Sequence, residues 1–329
     1  MKKFLVISGI VLGSILLLLL AVRIGERCVY ASFYQKADKA FAIPGLSDGF
    51  VPQGLDYLTE GEKSGSFLSC GYMANGKPSC VYLTDKDGKS TCTVLKNQDG
   101  SDYTGHTGGI AHTDDYLFIT SSDGLDVFAL SDVAEGQASA TQIGHILTYN
   151  DPAWCYIYDG YLFAGEFYRA ESHETPASHR MTTPCGDENT SIVTVFALTS
   201  VSDEAHPFSV NPTPVAVLST PDKVQGFCVT DTGEVAISTS WGFATSHIYL
   251  YDAQKLVPDG TFTVNGTDVP LLYLDSSALT RTVKAPPMSE EILCLDGKLY
   301  VQNESASNKY VFGKFMSGNH LYRYDLTKD

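Results

Sequence analysis

A three-part pattern recurs five times along this 329-residue chain. Each copy opens on a polar or small pair followed by an apolar residue: Gln53-Gly54-Leu55, Gly108-Gly109-Ile110, Pro152-Ala153-Trp154, Gln225-Gly226-Phe227 and Glu290-Glu291-Ile292. A second, apolar run follows, as in Phe67-Leu68-Ser69-Cys70, Tyr116-Leu117-Phe118-Ile119 and Leu299-Tyr300-Val301-Gln302. A third is rich in aromatic residues, as in Val127-Phe128-Ala129, Ile248-Tyr249-Leu250-Tyr251 and Leu321-Tyr322-Arg323-Tyr324. Runs of β-branched and aromatic residues between turn residues are strands. A unit this short cannot bury its own apolar face, so the copies must stack on or ring around one another. The pattern predicts an all-β fold, a five-bladed β-propeller.

The anchors at positions 54, 109, 153, 226 and 291 give a mean period of about sixty residues. A four-stranded blade takes about 40, so the surplus lies in loops, the longest being residues 166–191. Fourth strands are expected at 92–95, 142–147, 215–218 and 271–274. The fifth copy has none, and a segment within residues 30–43 is expected to supply it, closing the ring and removing an exposed edge. The expected organisation is therefore a membrane segment at 1–24, a linker with the ring-closing strand at 25–48, and the propeller at 49–329.

Residues 4–22 are almost wholly apolar, long enough as a helix to span roughly 30 Å. Lys2 and Lys3 precede the run, while Arg23 and Arg27 follow it beside Glu26, a bias toward a cytoplasmic N-terminus. No small-x-small cleavage pattern follows Ala21, and Gly25-Glu26-Arg27-Cys28 is a poor lipoprotein site. The expectation is an uncleaved signal anchor, one transmembrane helix with the propeller outside the cytoplasm; cleavage would leave a secreted propeller. The 22 basic against 38 acidic residues give a net charge of −16. That balance argues against nucleic acid and anionic headgroups as partners, because both require a cationic footprint. An acidic, solvated surface accounts for it.

Eight cysteines in an exported chain could form disulfides. Cys70 and Cys80 flank a turn at Asn75-Gly76 and are the preferred pair, over Cys80 with Cys92 about Asp87-Gly88. Cys155 and Cys185 bracket the long insertion and form a second candidate staple, while Cys228 and Cys294 fall in first strands and fit buried free thiols equally well. No CxxC occurs, so no thioredoxin-like or four-cysteine zinc centre is indicated.

The first strands of a propeller line its central channel, and the loops entering them converge at one mouth. Gln53, His106, Asp151, Gln225, Glu290 and Glu291 stand at these entries, with Trp154 and Trp241 as aromatic walls and Glu166 and Glu304 at the ends of second strands. A few polar groups among aromatic faces make a ligand pocket. Catalytic candidates are Glu290, Glu291 and Glu304, with His106 as base. Asp151, Glu166 and Glu304 offer hard oxygen donors for calcium. Asp85-Lys86-Asp87-Gly88 lacks the later glutamate of a calcium loop and is a hairpin turn. His173, His179, Glu171, Glu174, Cys185, Asp187 and Glu188 crowd the insertion but fit no established zinc spacing; the insertion reads as a polar lid. No G-x-S-x-G elbow, phosphate loop or dinucleotide fingerprint is present, so no nucleotide cofactor is implied.

Two resemblances attach to these residues. Phe50-Val51-Pro52-Gln53-Gly54-Leu55, and less closely Val224-Gln225-Gly226-Phe227, resemble the Phe-x-Gln-Gly-Leu entry of plant-type glutaminyl cyclases. These are five-bladed propellers that cyclise N-terminal glutamine in the central cavity, with a glutamate at the end of the following strand. Here that strand reads Phe67-Leu68-Ser69-Cys70-Gly71-Tyr72, and the glutamate has no counterpart. Lys223-Val224-Gln225-Gly226, Ser240-Trp241-Gly242 and Ala285-Pro286-Pro287-Met288-Ser289-Glu290 are similar to a family of bacterial secreted or membrane-anchored propeller proteins without an established function. That resemblance implies fold and location but no reaction.

Together these features predict a membrane-anchored propeller that binds a small molecule, glycan or peptide at its channel. The alternatives are an enzyme, a hydrolase or glutaminyl-cyclase-like acyltransferase using channel carboxylates, and a protein-interaction scaffold.

Overall fold

The structure is a computed structural model and describes residues 10–316 and 318–328, with residues 2–9 assigned to a helix but without described side chains. Five antiparallel sheets surround a channel. The first blade runs Phe50–Tyr57, Phe67–Met73, Cys80–Thr84 and Ser90–Lys96 from channel to rim. The second comprises Ile110–His112, Tyr116–Ser121, Gly124–Ala129 and Gly144–Leu147. The third comprises Pro152–Tyr158, Tyr161–Glu166, Ser191–Leu198 and Val210–Thr220. The fourth comprises Val224–Val229, Glu234–Thr239, Ser246–Asp252 and Leu279–Ala285. The fifth comprises Ser289–Leu295, Lys298–Asn303 and His320–Asp325, completed by Ala37–Ala42.

The second strands show no clean alternation because neighbouring blades cover both faces. Leu117, Phe118 and Ile119 are all fully buried, the first and third against blade one and the second against blade three. Each gap between blades holds its own apolar cluster. Between blades four and five, Ile248, Leu250, Leu299, Val301, Tyr322 and Tyr324 pack around Phe33, whose ring stacks on Tyr324 at 5.3 Å.

Ala37–Ala42 pairs antiparallel with His320–Asp325, Ala37 opposite Tyr324 and Ala42 opposite His320, so the start and end of the propeller close on each other. Two outer strands depart from expectation. Thr267–Tyr273, which includes most of the segment expected as the rim of blade four, runs parallel to Val210–Thr220 on blade three, with Val217 opposite Leu271. It hairpins with Thr261–Val264 and buries Val264, Val269 and Leu271 against Ile192 and Val217. Leu279–Ala285 takes the rim position of blade four. Both outcomes pair an otherwise open edge.

Lys2–Val29 is helical, but over residues 10–29 the helix carries Arg23, Glu26 and Arg27, and Glu26 is folded into the propeller, where it accepts a hydrogen bond from Tyr34. Among the described residues no helix is long and apolar enough to cross a membrane. The expected transmembrane helix is not supported by them; residues 4–9 of its span lie outside the described residues.

The eight cysteines are free. Cys70 faces Val81 and Gly71 faces Cys80, so the expected partners Cys70 and Cys80 lie on opposite faces of the blade. The symmetric-turn estimate misses by one residue, and with a side-chain period of two that reverses a side chain. Cys155 points its thiol at the Phe118 carbonyl, 3.8 Å away inside the blade two–three gap, while Cys185 is exposed beside Asp187, so this second staple is absent as well.

Candidate functional site

The channel residues are set by a repeated irregularity. The ladder between first and second strands slips at Pro52/Leu55, Pro152/Trp154, Val224/Gly226 and Ser289/Ile292. A bulge leaves residues unpaired and re-aims their side chains. Here it falls on Gln53-Gly54, Ala153, Gln225 and Glu290-Glu291, which accounts for the pair that opens four of the five copies; the blade two ladder has no slip. Glycine follows from close approach: a Cβ on Gly54 would lie 2.6 Å from the Ile110 nitrogen, and one on Gly226 would lie 2.6 Å from the Glu291 Cα. In blade one the bulge is held from outside. Gln302 Nε2 donates to the carbonyls of Gln53 and Gly54 at 3.0 Å each, and its Oε1 accepts from Ser69 at 2.8 Å.

The chemistry centres on two carboxyl groups. Glu304 follows the second strand of blade five, where its N–H donates to the carbonyl of Met288 at 3.1 Å, a residue held in the left-handed region at φ 63°. Its Oε2 accepts from Tyr310 at 2.8 Å and from Gln53 Nε2 at 3.1 Å. Glu290, 3% exposed, is hydrogen-bonded to Glu304 from behind. Burial and the neighbouring Glu304 charge hold Glu290 well above the usual carboxylate range. Burial raises Glu304 too, opposed by Tyr310, Lys309, Gln53 and the Glu290 proton. Two like charges cannot both ionise in contact, so the pair shares one proton and one negative charge, with Glu304 as the member on the cavity.

A cation and a histidine flank the pair. Lys309 donates to the Tyr72 hydroxyl and lies over the Tyr72 and Tyr310 rings at 4.7 and 5.1 Å. Tyr72 stacks at a tilt on His106, centroids 4.9 Å apart. His106 is reached by solvent but ringed by protein, and desolvation followed by the Lys309 charge lowers its pKa, favouring the neutral imidazole.

These groups open into a cavity of about 1720 Å³ at the channel mouth. Its far wall comes from the insertion and blade four. Phe167 and His173 pack on Trp241 at 5.9 and 5.6 Å, and the Arg169 guanidinium lies 4.4 Å over the indole. His179 Nδ1 pairs with Glu166 Oε1 at 2.8 Å, and the other oxygen of Glu166 accepts from the Ile192 N–H at 3.0 Å. On the blade two rim, Asp126 accepts from Tyr103 at 2.7 Å and pairs with His145 Nδ1 at 2.8 Å, a contact that raises the pKa of His145.

Of the residues singled out from sequence, Gln53, His106, Asp151, Glu166, Gln225, Trp241 and Glu304 line this cavity, and Glu290 supports it from behind. Two do not. Trp154 is fully buried, stacked on Phe227 at 5.2 Å with an interplanar angle of 6°, and belongs to the blade three–four core. Glu291 is turned away: its Oε1 accepts from the backbone of Phe227 and Ile292 at 2.8 and 3.1 Å, tying blade five to blade four. The carboxylates of Asp151, Glu166 and Glu304 do not converge on one point; among the described residues the one three-donor group is Cys185, Asp187 and Asp275. The insertion's other titratable residues disperse, His173 to the aromatic wall, His179 to Glu166, Glu174 to Arg180 and Glu188 to Thr182, while its Cys185 and Asp187 stand together beside Asp275. Sequence reasoning missed Tyr72, Lys309 and Tyr310. A Lys-Tyr step in the loop after Glu304 was the available signal.

No family model matches the sequence, and no curated protein matches it. Among solved structures, the glutaminyl cyclase of Myxococcus xanthus is similar at 10% identity and a TM-score of 0.44, over 87% of this chain and 94% of that one. The PQQ-bound aldose sugar dehydrogenase of Streptomyces coelicolor is similar at 14% identity and a TM-score of 0.46, over 87% and 95%. The likeness is one of overall outline.

Proposed function

We propose that this propeller is an extracytoplasmic protein that binds a neutral or cationic small molecule, glycan or peptide in the channel-mouth cavity and performs acid–base chemistry on it with Glu304. The observation that carries the reading is the proton-sharing contact between Glu290 and Glu304, its outer oxygen held by Tyr310 and Gln53. A carboxylate whose pKa is raised toward neutrality is a better base at working pH, and the protonated partner behind it acts as a reservoir. Glu304 takes a proton from a ligand amine or hydroxyl and returns it to the departing group, while Lys309 and Tyr310 balance the charge that moves.

The charge of the wall favours such ligands. Asp123, Asp151, Glu166 and Glu304 outweigh Lys309 around the cavity, and Trp241 and Tyr72 offer faces for an apolar or cationic group. Glycoside hydrolysis commonly places two carboxyls about 5 Å or more apart on either side of the bond. A pair in direct hydrogen bond fits acyl transfer or cyclisation better. The lysine-flanked apolar run at residues 4–22 supports export, whether retained as an anchor or removed.

The test screens the full-length protein by thermal shift against amines, small glycans, glutamine-terminated peptides and calcium with and without EDTA, then assays the stabilising compounds, esters and lactones for turnover. Turnover that falls 100-fold or more in Glu304→Gln, with ligand stabilisation retained, is expected. Turnover unchanged in that variant rejects the catalytic role, and stabilisation without turnover by any compound reduces the site to a binding pocket. Protease accessibility of the propeller on intact cells checks the location.

A further inference from the structure

On the outer half of blade one, away from the channel, two thiols stand on one face of neighbouring strands. Cys80 lies opposite Val94 and Tyr82 opposite Cys92, which puts Cys80, Tyr82 and Cys92 on one face, with the cysteines diagonal neighbours. The two thiols interact electrostatically, and the Cys80 thiol also lies 3.9 Å from Met73 Sδ. Cys80 is 2% exposed under the segment that links the ring-closing strand to blade one, where it packs with Ile43 and Phe50, and Cys92 is exposed at the rim. One thiol is therefore open to solvent and its partner is sheltered.

We propose that Cys80 and Cys92 form a paired-thiol site that low-molecular-weight disulfides oxidise to a cross-strand disulfide, with Cys92 attacking and Cys80 resolving. The surroundings suit these roles. Hydrogen bonds from Cys80 and Tyr82 to the Cys92 thiolate outweigh burial and the Asp48 charge, lowering Cys92 to about 7, whereas the contact with Cys92 and burial raise Cys80. The Cys92 thiolate attacks one sulfur of the small disulfide, forming a mixed disulfide and releasing one thiolate. Cys80 gives its proton to solvent and attacks the Cys92 sulfur, which expels the second small thiolate. Two protein thiols lose two electrons and two protons, and the small disulfide becomes two thiols.

The full-length protein, incubated with oxidised glutathione and then alkylated, provides the test. Trypsin cuts after Lys86 and Lys89, so the two cysteines fall on separate peptides that stay joined only by the new bond; Cys70 shares the Cys80 peptide, and fragment sequencing separates them. The expected product is Cys80 linked to Cys92, with Cys92 alkylation before oxidation half-maximal near pH 7. Cys80→Ser should accumulate a stable glutathione adduct on Cys92, Cys80→Ala should do the same without placing a hydroxyl in the apolar cluster, and Cys92→Ser should lose both adduct and crosslink. Glutathione retained on Cys92 while Cys80 remains alkylatable in the unsubstituted protein, or a bond from Cys92 to Cys70, overturns the proposal.

Discussion

Glu290 and Glu304 lie in hydrogen-bonding contact at the channel mouth, the first 3% exposed and the second facing the cavity, although burial penalises a charge on either. The contact persists because one proton serves both groups, and because Tyr310 and Gln53 satisfy the outer oxygen of Glu304.

The two members of the pair should respond differently to substitution. Glu304→Gln removes the accepting group and is expected to lower turnover by about 10²- to 10⁴-fold. Glu290→Gln keeps a hydrogen-bond donor to Glu304, so the acidic limb of the pH–rate profile should hold its position, whereas Glu290→Leu removes the donor that lowers Glu304 and should move that limb to higher pH. Steady-state rates between pH 4 and 9 check all three variants; coincident profiles for Glu290→Leu and the unsubstituted protein would show that no proton is shared.

Glu291 should govern stability instead of activity. Burial holds its carboxyl well above the usual range despite hydrogen bonds from Phe227 and Ile292. The folded state therefore binds a proton that the unfolded chain has released above about pH 4.3. Its contribution is fully present below that pH and declines as the pH rises toward its folded pKa. Glu291→Gln is expected to flatten this decline in melting temperature and leave turnover intact. Denaturation followed from pH 4 to 8 reads the slope.

The two tryptophans separate packing from recognition. Trp154→Ala empties the stack on Phe227 and should cost about 3–5 kcal/mol in urea unfolding. Trp241, 39% exposed on the cavity wall, should cost under about 0.5 kcal/mol when changed to Ala. The same change should weaken ligand binding roughly tenfold, the loss of about 1.4 kcal/mol of contact. Equal stability losses in the two variants would contradict the assignment.

Gly109→Ala probes the approach of the blades. A Cβ there would sit 2.5 Å from the Cys155 nitrogen and 2.6 Å from the Trp154 Cα, backbone that moves only if blade three moves. A loss of about 1–3 kcal/mol, measured by chemical denaturation, is expected. Gly160 has open space around its missing Cβ but φ 78°, so Gly160→Ala acts through backbone strain alone and tests a different cost.

The repeat of apolar runs was enough to establish five blades, and the polar pair before each first strand marked Gln53, Gln225 and Glu290 as channel residues, because bulge and strand are local events written in neighbouring residues. Glu304 was legible as the residue after a second strand. Its partner was not: Gln53 stands 251 positions away, and Lys309, Tyr310, Tyr72 and His106 meet only when blade five closes on blade one. Trp154 and Glu291 sit beside channel positions in the sequence yet point between blades, since a slip of one residue reverses a strand side chain. The same one-residue ambiguity misplaced the cysteine pairing. The rim strand Thr267–Tyr273 joined blade three instead of blade four because edge pairing depends on which open edge an apolar hairpin can cover, a matter of three-dimensional neighbours. Periodicity thus determined the number and kind of elements, whereas register, edge choice and the convergence of distant side chains into an acid–base site were decided by tertiary packing.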